Sequence, residues 1–256
     1  MIPLEDPTTL SLLFHLNSEP WLNDEAYRGG AMNQELKVPD GIIDEVSLPP
    51  PAESALTELL GHRQSCREFA QREMPLDQAA ALLAASYGAI APARFSGQTP
   101  FLRRTVPSAG GLFPLELYTF TQRVQGLEDG LYHYDVIAHS LQQLRRGNLF
   151  PTLEPMFYTY PFMKDANLVV VMAAVFLRTQ KKYGPRGYRY LLMEAGHVAQ
   201  NLSLRAVELG IATLCMGGFV DSVLNELIGL KPKKEGVVYT VAAGFDGSNA
   251  PTVSSI

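Results

Sequence analysis

RTVPSAGGLFP (Arg104–Pro114), running into the strand-like LELYTF (Leu115–Phe120), decides the reading of this chain. Pro107 and Pro114 restrict the backbone at either end, while Gly110 and Gly111 permit positive φ and carry no side chains. Such a stretch makes a side-chain-poor loop, which a flat ligand can approach closely enough to meet main-chain N–H groups. Taken alone, it reads equally as a tight turn entering a strand. Its companions in the sequence separate the two readings.

Upstream lies RQSCREF (Arg63–Phe69). On an extended backbone the alternation of Arg63, Ser65 and Arg67 points two guanidinium groups and a hydroxyl to one side. Arginine offers forked, permanently charged donors to phosphate oxygens, and serine adds another donor without crowding a third cation against them. A solvated basic loop has the same composition. The pairing of a phosphate-type cluster with a glycine loop favours a phosphorylated flat cofactor.

Further segments follow in order: GLYHYD (Gly130–Asp135), KYGPRGYR (Lys182–Arg189), EAGH (Glu194–His197) and CMGGF (Cys215–Phe219). Together with the first two they resemble, in order and spacing, the FMN-dependent nitroreductase superfamily. The match is closer to its SagB-type branch of azoline dehydrogenases, which oxidise thiazoline and oxazoline rings in peptide natural products. The likeness runs from about Leu56 to Gly244 and rests on the ordered set, not on any single motif.

The resemblance implies an α+β, nitroreductase-like fold: a central, mainly antiparallel sheet flanked by helices, in an intertwined homodimer that holds FMN between subunits. Residues 1–52 form an N-terminal irregular arm and residues 53–256 the catalytic domain. Phe14, His15 and Trp21 are candidate anchors for the arm. By the same likeness Arg63, Ser65 and Arg67 hold the FMN phosphate. Pro107, Ser108, Ala109, Gly110, Gly111 and Leu112 lie beside the ring, and Met216, Gly217 and Gly218 approach it from elsewhere. The family often carries a basic residue near the phosphate in its C-terminal segment; Gly244–Ile256 has none.

Lys182 and Tyr183 match the Lys-Tyr pair of the azoline dehydrogenases and are the expected catalytic residues. Removing two hydrogens from an azoline needs a base for a ring C–H proton and a hydride acceptor, a role that suits a flavin. Tyrosine is ordinarily protonated near neutral pH, so Tyr183 serves as base only where its phenolate is stabilised; Lys182 is the base otherwise, or orients the ring. An exposed basic loop at Lys181–Tyr183 is the competing reading. The implied activity is oxidation of a peptide thiazoline or oxazoline to the azole, with oxygen reoxidising the flavin. The resemblance further implies a substrate that is carrier-protein-bound or delivered by a cyclase complex. An NAD(P)H-dependent nitro- or quinone reductase is the alternative, and a non-catalytic flavin-binding assembly subunit the third reading.

The composition is ordinary for a soluble protein. The 256 residues are 46% hydrophobic and 18% charged, enough for a substantial core. With 21 Lys+Arg against 26 Asp+Glu the net charge is −5, which gives no general attraction to nucleic acid or an anionic membrane. The most apolar run, Leu168–Leu177, is shorter than the roughly 20 residues of a spanning helix. The acidic, proline-containing start lacks the pattern of a secretory signal, so a cytoplasmic location is expected. Cys66 and Cys215 have no metal-ligand spacing and are expected as reduced thiols.

Periodicity predicts helices over 54–60, 77–88, 148–157, 188–209 and 221–229, the last capped by Asp221. Strands are predicted over 115–123, 130–136, 141–145, 167–176 and 237–243. The run over 167–176 is apolar on both faces and should be central. Ala195, Gly196, Ala199 and Ala206 suit close packing of the long helix, within the core or across a dimer. Glu194 and His197, three apart, have no companion ligands, and a structural role is favoured.

Overall fold

A computed structural model describes residues 9–18, 37, 39–93, 101–231 and 233–248. Its centre is the strand β6 (Leu168–Val175), buried along nearly its whole length. Successive side chains of a strand alternate between faces, and here each face has its own core. Leu168, Val170, Met172 and Ala174 join one apolar cluster, and Val169, Val171 and Ala173 join the other. A strand with both faces covered must be apolar throughout, as the sequence is.

The six-stranded sheet has the order β5-β4-β3-β6-β8-β7, built from β3 (Leu115–Thr121), β4 (Gly130–Asp135), β5 (Ser140–Arg146), β6, β7 (Ala212–Met216) and β8 (Glu235–Gly244). Every pairing in it is antiparallel. Strands β1 (Ala89–Ala93) and β2 (Phe101–Arg104) form a separate antiparallel pair. One edge, β5, is largely exposed and carries Arg145 and Arg146, which discourages pairing with another chain. At the other edge the chain at Ser65 bridges β7 at Thr213, with Cys66 N–H donating to the Thr213 carbonyl at 2.8 Å.

Helices cover both faces. On the first lie α3 (Leu76–Tyr87) and the long α7 (Arg186–Glu208), whose Leu191, Ala195, Val198, Ala199, Leu202 and Ala206 are buried. The small residues Ala195, Ala199 and Ala206 thus pack inside the chain's own core, whereas a side chain at Gly196 would meet nothing within 4 Å. On the second face lie α8 (Asp221–Ile228) and the short α4 (Phe150–Leu153) and α5 (Tyr160–Met163). Helix α2 (Ala55–His62) begins with a Ser54 capping box.

Several expectations need revision. The predicted helix over 148–157 is α4 followed by a 3-10 turn at Glu154–Met156, because Pro155 removes a backbone donor from a continuous ladder, while Pro151 sits in the first turn of α4, where proline is tolerated. The strand over 115–123 ends at Thr121, and Arg123 takes φ of 52°. Helix α8 is capped by Val220 without a side-chain bond, and Asp221 sits in its first turn instead. The arm is not wholly irregular: Thr9–Asn17 forms helix α1. There His15 is buried, with Nδ1 3.0 Å from the Tyr188 hydroxyl, while Phe14 is mostly exposed. Trp21 lies outside the described residues. Helix α6 (Phe176–Tyr183) and strand β7 were not anticipated. Among the described residues no helix is long and apolar enough to cross a membrane, and Cys66 and Cys215 are free thiols.

Candidate functional site

The loop between β2 and β3 folds back on itself. Phe113 N–H donates to Ser108 Oγ at 2.9 Å and Gly111 N–H to the Ser108 carbonyl at 3.0 Å. Gly110 and Gly111 take φ of 64° and 65°, the left-handed region in which a Cβ is costly. Gly110 has a second reason to be glycine. A Cβ there would stand 2.6 Å from the Tyr183 hydroxyl and 2.8 Å from Lys182 Nζ. The glycine loop and the Lys-Tyr pair, separated in sequence, are packed one against the other.

Lys182 and Tyr183 occupy the last turn of α6, not a loop. The helix buries Phe176, Thr179 and Gln180 on one side, which leaves Lys182 exposed and Tyr183 half-buried. Gly184, with φ of 57°, and Pro185 then turn the chain directly into α7. The two helices meet closely at Gly187, where a Cβ would fall 2.8 Å from the Thr179 carbonyl carbon. Lys182 Nζ lies 5.3 Å from the Tyr183 ring centroid, and Tyr183 meets Tyr190 edge-on at 5.1 Å.

Behind the loop is a buried polar group that the sequence did not single out for this place. Glu194, 2% exposed, accepts a 2.6 Å hydrogen bond from the Tyr87 hydroxyl. Burial raises the Glu194 carboxyl above its ordinary range, against the opposing effects of Ser108, Tyr87 and the Arg104 charge. Burial and the Glu194 carboxylate both push the Tyr87 phenol upward. Arg104 stacks on Tyr87 and Phe113, 4.3 and 4.8 Å from their centroids. A pocket of about 270 Å³ lies in front, lined by Pro107, Ser108, Ala109, Tyr190, Met193, Glu194 and His197. Tyr190, Glu194 and His197 follow helical spacing on α7, a signal visible only once the loop is known to face that helix.

The remaining expected residues lie away from the loop. Ser65 and Arg67 line a cavity of about 470 Å³ near the end of α7, together with Val207, Gly210 and Thr213. Arg63, half-buried at the C-terminal end of α2, lies outside that wall, because the chain from Gln64 to Glu68 is not a regular strand that would alternate the three side chains. Glu68 and Asp246 share the wall. Met216 ends β7, its carbonyl accepting from Thr240 Oγ1 at 2.9 Å. Gly217 leaves open space around its backbone, and the Gly218 carbonyl accepts from Tyr158 N–H at 3.3 Å. Along α7, Glu194 beside the loop and Val207 beside the Ser65 cavity stand roughly 20 Å apart at 1.5 Å per residue. The pocket beside the loop and the Ser65 cavity therefore stand well apart along the long helix.

The pattern of the nitroreductase family matches residues 60–245. A protein of Methanocaldococcus jannaschii that bears a provisional nitroreductase name is 35% identical over 73% of this chain and 90% of its own. The microcin B17-processing protein of Escherichia coli is 28% identical, over 53% of this chain and about half (52%) of its own length. Among solved structures, the microcin synthetase complex of E. coli with a truncated pro-microcin bound matches at a TM-score of 0.72 with 20% identity, covering 94% of each chain. A provisionally named nitroreductase of a Desulfovibrio desulfuricans subspecies, in complex with FMN, matches at 0.53 with 13% identity, over 77% of this chain and 90% of its own. At these identities the structural likenesses speak for the fold.

The residues fit a flavin at its ring end. Gly110 offers backbone without a side chain beside Lys182 and Tyr183. Ser65 and Arg67 are donors of the kind a flavin phosphate would need, opposed by the two carboxylates on their wall. Fold, matched span and the ordered motifs agree, and the chain belongs to the nitroreductase family.

Proposed function

We propose that the protein oxidises a thiazoline or oxazoline in a peptide to the corresponding azole, using FMN. The observation that carries this reading is the contact of Gly110 with Lys182 and Tyr183. It puts a candidate proton acceptor against the loop where a flavin ring would lie. Bound FMN supplies the two-electron acceptor, to be reoxidised by oxygen. The chain's own residues supply the rest. With FMN bound, Pro107–Leu112 and Met216–Gly218 would lie beside its ring, and Ser65 and Arg67 would hold the phosphate; Arg63 joins them on the resemblance alone. Lys182 or Tyr183 takes the ring C–H proton while the second hydrogen leaves with its electron pair. Tyr190, edge-on to Tyr183, fixes the phenol's plane. Because the loop set and the phosphate set stand apart within a protomer, a homodimer completes each site from two copies.

Peptide processing is supported by the likeness to the microcin-processing protein and by the fold match to a synthetase complex that holds its pro-peptide. A partner cyclase that delivers the azoline belongs to the same reading. The test is incubation of FMN-loaded protein with an azoline-bearing peptide and mass spectrometry for loss of two hydrogens. The 35% identity to the nitroreductase-named relative favours a second reading, NAD(P)H-driven reduction of nitroarenes or quinones. Rapid NAD(P)H oxidation with a nitroarene and an unchanged azoline peptide would select it.

A further inference from the structure

We infer that Arg178 is a positioning residue that clamps the glycine loop to the helix carrying Lys182 and Tyr183, so that the two are registered as one unit. This rests on the role proposed for that pair. Arg178 lies one turn before Lys182 on α6. Its guanidinium forks: Nη1 donates to the Phe113 carbonyl at 3.2 Å, and Nη2 lies 2.5 Å from Glu116 Oε1. Phe113 is the point at which the loop closes, since its N–H reaches back to Ser108 Oγ. It also takes φ of 43°, a conformation that a non-glycine residue keeps only when its surroundings hold it. One residue on, the Pro114 carbonyl accepts from Val175 N–H at 2.9 Å, directly before α6 begins.

The far side of the clamp is fixed as well. Glu116, on β3, uses its other oxygen to accept from His133 Nε2 on β4 at 2.9 Å. His133 Nδ1 in turn lies 3.1 Å from Gln142 Oε1 on β5. The carboxylate that anchors Arg178 is thereby tied to three strands of the sheet. Through Arg178 the sheet holds the loop's closing carbonyl and α6 together, and the loop's tip at Gly110 meets Lys182 and Tyr183. Arginine is required because one planar group must reach a carbonyl and a carboxylate at once. Lysine provides a point charge and cannot repeat the fork.

The experiment compares Arg178→Met, Arg178→Lys and Glu116→Gln with the parent protein, and uses Arg146→Met, from the exposed Arg146–Glu128 pair on the β5 edge, as the control. Two readouts are taken. Hydrogen exchange across 108–113 and 176–184 needs no substrate. It should quicken in both segments in Arg178→Met, less in Arg178→Lys and Glu116→Gln, and not at all in the control. With azoline peptide, kcat should fall about tenfold or more in Arg178→Met, with KM and FMN occupancy within twofold, because misplacement of a reacting group costs rate more than binding. Arg178→Lys should recover part of that loss. Unchanged exchange in both segments, or a kcat in Arg178→Met equal to the parent's, overturns the clamp. A parent protein that loads FMN but never oxidises azolines sinks the proposed function, and the exchange data still decide the clamp.

Discussion

Gly110 bears two constraints at once, a left-handed backbone and a neighbour on each side of where its Cβ would be. Gly110→Ala should therefore cost about 1–2 kcal/mol from φ alone and displace Lys182 or Tyr183 as well. Thermal denaturation should show a lowered Tm, and turnover should fall further than stability explains; an Ala variant with parental Tm and kcat would contradict this. Tyr87→Phe removes the donor to a buried carboxyl and should cost about 1–3 kcal/mol, read by denaturant titration. The Glu116–His133 pair makes a pH prediction. The Glu116 hydrogen bond raises His133 above its ordinary 6.5, with burial opposing. That stability is complete below 6.5 and is lost as pH rises through the raised value. Burial would raise Glu116, but His133 and Arg178 more than offset it and lower the carboxyl beneath 4.5. Its share is present above 4.5 and is lost as pH falls through the lowered value. Asp135 nearby acts in the same direction as Glu116 on His133. His133→Gln should accordingly cost more at pH 6 than at pH 8, and an equal cost at both would remove the charged pair from the account.

At the scale of elements, the contact between α6 and α7 sets where the Lys-Tyr pair stands. Gly187 lets the helices approach until a Cβ would touch the backbone at Thr179 and Gln180. Gly187→Ala should open that contact and cost about 1–3 kcal/mol as overpacking, with turnover lost alongside; full stability and activity would show that the approach is not needed. The same pair of helices shows what sequence can convey. Helix α7 was legible because its apolar positions recur over six turns and Gly210 ends it. Helix α6 was not: its short, largely polar sequence FLRTQKKY follows an apolar strand without a break, and only Phe176, Thr179 and Gln180 mark a buried side. Strand β6 was legible because two cores demand apolar residues at every position. Strand β7 was hidden because its five residues lie at an edge with Cys215 exposed, so neither alternation nor length stands out.

For the whole molecule, local motifs indicated which residues matter, and only the fold shows how they are grouped. The glycine loop and Lys182–Tyr183 come together, while Ser65 and Arg67 sit with β7 at the far end of α7. No spacing in the sequence carries that division, because it depends on the direction in which α7 crosses the sheet. If each flavin is held between copies, sedimentation of the yellow protein should give twice the chain's mass; a monomer that retains FMN would contradict the shared site. The central claim is most directly tested by mass spectrometry of an azoline peptide after incubation with FMN-loaded protein in air. The account predicts loss of two hydrogens per ring, with Lys182→Ala and Tyr183→Phe each reducing turnover far more than FMN occupancy. A peptide of unchanged mass beside fully loaded protein, or full turnover in both variants, would contradict it.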